Sequence, residues 1–314
     1  MIGFSYFVVK RYPINNKMLR WRIYCHHNLY RASSPPMRRK SIIVASGFFL
    51  TAFFFYGAVI EPGRLTVTTV DIREGRLAQI LAGRKAVLLS DLHFNEDGEP
   101  MAEAALQRLK EIRPDLILLT GDYVDWGSHA PAYERALAFL AQLQAPLGVF
   151  AVLGDADRTF SRKSCEFCHQ PGSGESAERH SVVFLKNSQR AIAMPLGEFF
   201  IMGIDPERGA HPPSQLRQFL EGDTPALLLS HTSEIYKHIS RAREILVLSG
   251  DTHGGQVQLP AWFWSLTRRK PDPEHIHGYF REGNKALFVT RGLGTSVVHF
   301  RLGAPPEIVV LEFK

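Results

Sequence analysis

A chain of 314 residues is long enough to bury a full core with an appendage beside it, and 45% hydrophobic with 22% charged residues is a globular balance, which excludes disordered and fibrous classes. Lys and Arg outnumber Asp and Glu by 37 to 31, a net +6 that taken alone points towards nucleic acid. Its placement excludes that class: residues 1–60 carry nine Lys or Arg and no acid, leaving 28 bases against 31 acids, so the remainder is mildly acidic and no nucleic acid binding is expected.

Directly after the basic head comes "SIIVASGFFLTAFFFYGAVI", residues 41–60, without a charged residue. At a rise of about 1.5 Å per residue it covers roughly 30 Å, the thickness of a bilayer core, and it lacks the polar face of a soluble helix. The expected organisation is therefore a basic cytoplasmic segment (1–40), a transmembrane anchor (41–60) and a body (61–314). Lys and Arg before the span, with Glu61 after it, place the body outside the cytoplasmic membrane, as a single-pass protein with a periplasmic or extracytoplasmic domain. Met37 offers an alternative start, from which "MRRKSII" would open a signal-like segment. The sequence "YGAVIEPG" is a poor cleavage site, so an uncleaved anchor is expected.

In the body, "IEPGRLTVTTVDI" alternates as an outer strand does, and "AVLLSDLH" follows as a buried strand. "MAEAALQRLKEIRP" sets Ala105, Leu106, Leu109 and Ile112 on one helical face, and Pro114 ends that helix before "DLILLTGD". The pattern recurs with a helix from about Tyr133 to Leu143 and with helices near "SQLRQFLEG" and "SEIYKHISRA". Strand and helix in alternation indicate an α/β core. Residues 158–180, rich in Ser, Gly and charge, read as a loop insertion. Residues 278–314, short β-rich runs between turn residues, predict an antiparallel closing section.

Five apolar runs stop at metal-binding side chains: "AVLLSDLH", "LILLTGDYVD", "VFAVLGDAD", "ALLLSHTSE" and "EILVLSGDTHGG". In α/β sheets ligands gather beyond the carboxyl ends of strands. Asp91, His93, Asp122, Asp155, His231, Asp251 and His253 all fall there, four carboxylates and three imidazoles, enough for two divalent ions. Taken singly, an Asp after a strand is an ordinary helix cap and a lone His231 an ordinary structural histidine. Their order changes that reading. "DLH", "GDYVD", "GDAD", "SHTS" and "GDTHGGQ" resemble, in sequence, the five motifs of the calcineurin-like metallophosphoesterases. "IEP" after the span and "RGLGTS" near the close resemble the membrane-anchored bacterial branch.

The resemblance implies an α/β metallophosphoesterase sandwich, two β-sheets flanked by helices, behind one N-terminal transmembrane helix. It implies two divalent metal ions (Mn, Fe, Mg or Zn): one on Asp91, His93 and His253, with Asp122 bridging to a second on Asp155, His231 and Asp251. It implies hydrolysis of phosphomonoesters or phosphodiesters through a metal-activated hydroxide, on a substrate that can be lipid-linked. A second reading is an enzyme like UDP-2,3-diacylglucosamine pyrophosphatase, whose active face would have to be cytoplasmic. A third is a non-hydrolytic relative that binds metal or haem.

Three positions depart from the family pattern. Asp155 stands where Asn is usual and Asp251 where the first His of G-H-x-H is usual, so four aspartates would neutralise two divalent cations that a pair leaves at a surplus of two. Such a pocket should favour Mn, Mg or ferrous iron over zinc and make bound water less acidic. Ala156 replaces the family histidine that protonates the leaving group, help worth roughly a hundred to ten thousandfold. The catalytic acid is therefore unassigned; good leaving groups should be favoured, or another donor such as His277 must serve. Arg158, Arg162 and Lys163 could restore positive potential, or be solvated loop charges.

Two stretches leave alternatives open. Cys165, Cys168 and His169 have the C-x-x-C-H spacing of haem attachment, with His180 available as a second axial ligand, but also suit a disulfide, free thiols or half a zinc site. "PAWFWSLTRRK", residues 260–270, could dip into a membrane surface, line a groove, or pack Trp262 and Trp264 in the core.

Overall fold

Strands β1 (Ser5–Ile14) and β2 (Met18–His27) pair antiparallel, with Ser5 opposite His27 and Ile14 opposite Met18. Charge patterning alone did not reveal this hairpin in the basic head. Helix α1 (Pro36–Phe55) follows and continues as a π-helical turn, Tyr56–Ile60. Within it, Ser41–Ile60 is the one helix among the described residues that is long and apolar enough to cross a membrane. The computed structural model describes residues 5–14, 18–27, 36–128, 130–158, 180–204, 220–258, 275–296 and 298–314. The chain divides into two units, Met1–Phe53 and Phe54–Lys314.

The second unit is a sandwich. Its strands are β3 (Thr66–Ile72), β4 (Lys85–Leu89), β5 (Leu116–Leu119), β6 (Val149–Ala151), β7 (Val183–Phe184), β8 (Ser188–Met194), β9 (Gly197–Ile204), β10 (Ala226–Ser230), β11 (Ile245–Ser249), β12 (Gly278–Glu282), β13 (Lys285–Val289) and β14 (Glu307–Phe313). One six-stranded sheet runs β3-β14-β4-β5-β6-β7, the other β12-β13-β11-β10-β9-β8. The period of two explains the layering. Leu88, Leu118 and Val152 from the first sheet meet Ile201, Leu229, Leu248 and Phe288 from the second in the central layer. Their neighbours Val87, Leu89, Ile117 and Leu119 face helices α3 (Pro100–Ile112) and α4 (Ala130–Leu140) on one outside. Leu228, Val247 and Leu287 bury Ile235 and Tyr236 on the other.

Helix α3 starts where Glu99 caps it, accepting from Met101 N at 2.9 Å ahead of Pro100, and ends at Arg113 in the left-handed region before Pro114. Its neighbour α4 lies three residues earlier than periodicity indicates.

Two expectations need correction. "SEIYKHISRA" forms only a 3-10 turn, Ser233–His238, because Ile239 is already extended and the chain must run back to begin β11. The closing section is only partly antiparallel. β12 and β13 pair that way, but β13 lies parallel to β11, and β14 crosses to the first sheet, parallel to β3 and antiparallel to β4. Most of residues 158–180, with Cys165, Cys168 and His169, of "SQLRQFLEG" and of residues 260–270 lie outside the described residues. So do Arg162 and Lys163. His180 is described, its Nδ1 accepting from Val182 N at 3.3 Å.

Candidate metal centre

The carboxyl ends of β4, β5, β6, β10 and β11 open on one rim, and hydrogen bonds between the loops, both within and across the sheets, draw them together there. Asp251 N donates to Asp91 Oδ1 at 3.0 Å, Gly250 N to the carbonyl of His231 at 3.0 Å, and His231 Nδ1 lies 2.8 Å from the carbonyl of Thr120, to which it donates. Two glycines make this convergence possible. A Cβ at Gly250 would overlap Ser90 Oγ and Asp91 Oδ2, and one at Gly154 would overlap Asp122 Oδ1. Asp91, His93, Asp122, Asp251 and His253 all adopt left-handed backbone, with φ of 51°, 47°, 54°, 68° and 50°. Such conformations cost on the order of 1 kcal/mol or more each and aim the side chains inward off the strand ends.

All seven expected residues come together, as overlapping groups whose ligand atoms lie within 4.8 Å of one another: Asp91 with His93 and His253, Asp91 with Asp122 and His231, and Asp155 with His231 and Asp251. Asp122 stands in the middle. Its Oδ2 is 3.5 Å from His93 Nε2 and its Oδ1 is 3.4 Å from His231 Nε2. Asp91, His93, Asp122, His231 and His253 are buried. The Asp155 and Asp251 side chains are 69% and 42% exposed, so those two acids form the solvent lip.

Two atoms test whether cations fit this cluster. Asp91 Oδ2 and His231 Nε2 are buried without a hydrogen-bond partner, although His231 Nε2 has three carboxylates at 3.4–3.7 Å. Left unmet, such atoms cost about 1–3 kcal/mol each, and cations that take them as ligands would remove the penalty. His93 and His253 face each other Nε2 to Nε2 at 3.1 Å, two nitrogens converging on one point. Carboxylates and imidazoles are a donor set for Mn, Fe, Mg or Zn.

The charges agree with that use. Burial works to raise Asp91, but the imidazoles of His253, His231 and His93 hold its carboxyl below the usual range, so it stays ionised. Burial works to lower His231, yet Asp122, Asp155 and Asp91 carry it well above its ordinary value; a cation would displace its proton. His253 is pushed down to about 4 by burial, helped by the charges of His93 and Arg301, and is neutral as a ligand must be. Burial and the neighbouring acids push Asp251 up to about 6.

Supporting residues were missed by sequence reasoning. Asp125 accepts from His93 Nδ1 at 3.1 Å and orients that ring. Asp157 is buried and accepts from Asp122 N, Gly154 N and Tyr123 N at 2.8–3.0 Å, stapling two loops; burial and the charge of Asp122 raise it to about 7. Both are the closing acids of "GDYVD" and "GDAD", a signal present in the motifs. Arg301, fully buried with Nη2 3.4 Å from His253 Nδ1, has no such signal. Ala156 is buried, and its N donates to Asp122 Oδ1 at 3.0 Å. His277 points elsewhere, its Nε2 donating to Glu307 Oε2 at 3.1 Å.

The sequence model of the calcineurin-like phosphoesterases matches residues 84–254, more than half the chain. The chain belongs to that family. As a metallophosphoesterase it is a metal-dependent phosphoric ester hydrolase, and the match runs from the start of β4 through the His253 turn. Phosphodiesterase YaeI of Escherichia coli is 30% identical over 73% of this chain and 81% of its own. UDP-2,3-diacylglucosamine pyrophosphatase LpxG of Chlamydia trachomatis is 26% identical over 81% of this metallophosphoesterase and 90% of the relative. Among solved structures, TT1561 of Thermus thermophilus superposes with a TM-score of 0.42 at 14% identity, covering 68% of this chain and 91% of that one.

Proposed function

We propose that this metallophosphoesterase is a membrane-anchored, dinuclear phosphodiesterase whose substrate carries a lipid. Residues 41–60 are the anchor and 61–314 the catalytic domain, outside the cytoplasm by the positive-inside tendency. The single observation that carries the dinuclear reading is Asp122, whose two carboxylate oxygens face two different imidazoles at 3.4 and 3.5 Å. One cation is assigned to Asp91, His93 and His253, the other to Asp155, His231 and Asp251, with Asp122 shared. Bound there, the ions would supply Lewis-acid charge for the phosphoryl oxygens and activate water as the nucleophile.

The chain's own residues do the rest. Asp125 keeps the His93 ring turned so that Nε2 faces the centre, and Asp157 holds the Asp122 backbone. Asp155 and Asp251, at the lip, add negative charge where phosphate enters, which favours diesters of single charge over dianionic monoesters. With Ala156 at the family's proton-donor position, protonation of the leaving oxygen falls to solvent.

The topology supports a lipid-linked substrate. β3 is parallel to β14 and β14 antiparallel to β4, so the start of β3, a few residues after the apolar span, lies on the rim that carries Asp91. A shallow cavity of about 470 Å³ beside Asp125 and the exposed Trp126 offers room for an apolar or aromatic moiety. Another depression, about 320 Å³ and lined by Arg73, Glu74, Glu244 and Arg281, opens at the opposite ends of the strands and contains none of the seven residues. Likeness to LpxG favours a second reading, a nucleotide-linked diacylglucosamine pyrophosphatase.

Purified full-length protein assayed with Mn, Mg, Fe and Zn in turn tests the proposal. Bis-p-nitrophenyl phosphate should be cleaved in a metal-dependent manner, and Asp122→Asn should lower kcat/KM by about a thousandfold. Metal-independent turnover, or an Asp122→Asn enzyme at full rate, would rule it out. A clear preference for UDP-2,3-diacylglucosamine over the simple diester would select the second reading.

A further inference from the structure

Residues 290–296 leave β13 at the rim and pass over the Asp91 turn, and residues 298–306 lead into β14. Leu293 N donates to the carbonyl of Ser90 at 3.0 Å and Gly294 N to that of Asp91 at 2.7 Å, while Gly292 leaves no room for a side chain beside the Asp91 Cβ. This segment therefore fixes the backbone of one candidate ligand. Arg301 shapes it from within. Its Nη1 donates to the carbonyl of Ala304 at 2.7 Å, and its Nη2 to those of Arg291 at 3.0 Å and Gly294 while standing beside His253.

The back of Arg301 is held by the end of the apolar span. Arg301 N donates to the carbonyl of Gly57 at 2.9 Å. The Phe300 ring closes over Gly57, where a Cβ would collide with it, and lies 6.2 Å from the Phe54 ring. Glu61, only 2% exposed, accepts from the N of Ala304, the residue whose carbonyl takes the Arg301 Nη1 donor, at 2.7 Å. A carboxylate this buried needs a reason, and none of the catalytic roles above uses it.

We propose that Gly57 and Glu61 are positioning residues of the metal centre: acting through Arg301, the last turn of the apolar helix sets the segment that holds Asp91 and His253. The inference rests on the reading that Asp91, His93 and His253 hold a cation. The helix is thus part of the centre as well as an anchor, and its seating is coupled to metal retention. Outer partners of metal ligands are worth about ten to a hundredfold in affinity.

The test is a Mn2+ titration of the full-length protein in detergent micelles, read by the electron paramagnetic resonance of free Mn2+, with melting temperature measured in parallel. Glu61→Ala and Gly57→Val should each weaken the tighter Mn2+ by about tenfold. Glu61→Gln, which keeps an oxygen for Ala304 N, should lose about threefold or less. Glu74→Gln on the opposite rim should leave the affinity unchanged and serves as the control for a general loss of stability. Folded Glu61→Ala and Gly57→Val proteins that bind Mn2+ within about twofold of the unsubstituted chain would overturn the inference. Should Gly57→Val fail to fold, Glu61→Ala and Arg301→Lys decide by the same criterion. Failure of the metal reading itself looks different: the unsubstituted chain would then bind no Mn2+ and Asp122→Asn would change nothing.

Discussion

Ala156 is the residue with the clearest kinetic consequence. Its side chain is a methyl group where the family resemblance implies a proton donor, so under the proposed function the rate should depend steeply on how well the leaving oxygen bears negative charge. In a series of aryl phosphodiesters with leaving-group pKa from about 5 to 10, kcat should fall by roughly a thousandfold as the missing acid becomes more necessary. A flat series would show that another group donates. Glu307 has a thermodynamic consequence. Burial alone would raise it, but His277, Thr68 and the Arg291 backbone pull it down to about 2. A depressed carboxylate stabilises the fold fully above its unfolded value of about 4.5, and that contribution is lost as pH falls through 2. Unfolding free energies from pH 6 to 2 should therefore show about 3 kcal/mol of acid-dependent loss that Glu307→Gln lacks. The ligand-type residues were legible because each follows an apolar run directly. Arg301 and Glu307 were not: Arg301 is held by carbonyls of its own irregular loop, Glu307 by Thr68 and His277 from other elements, and no apolar run or motif marks either.

At the scale of elements, the strand ends matter more than the strands. Gly250 lets the second sheet's loop lie against Ser90 and Asp91 of the first. Gly250→Ala should push the sheets' rims apart, lowering kcat/KM by about a hundredfold or more while costing roughly 1–3 kcal/mol in unfolding free energy. Activity assays and denaturant melts of the same preparation would separate the two effects; a fully active Gly250→Ala protein would contradict the close approach. The α/β alternation was readable because α3 shows both a helical period and its stop signal. β14 was harder. Ile308 and Val310 pack on one face and Val309 and Leu311 on the other, so both sides are apolar and the residues identify a buried strand without naming its neighbours. The segment after β10 misled for a related reason: Ile235, Tyr236 and Ile239 sit at helical spacing, but the backbone is already extended at Ile239.

At the scale of the molecule, the basic head, the apolar helix and the acidic body form a sequence of charge that a membrane would sort. A reporter enzyme active only outside the cytoplasm, fused after Lys314, should be active in the proposed topology; activity confined to a reporter that works in the cytoplasm would reverse it and favour the nucleotide-linked pyrophosphatase. This order was visible in composition alone, whereas the hairpin before the helix was not, because charged residues interrupt the alternation of both its strands.

The proposed centre is lopsided: one triad is sealed among buried side chains, while the other leans on two carboxylates open to solvent. Ions at unequal depth leave at unequal rates. A chelator should strip the lip first and leave a chain with a single, slowly exchanging ion, inactive yet structurally intact. Refilling the outer position would then switch turnover on without refolding anything, making ambient metal concentration a throttle on the enzyme.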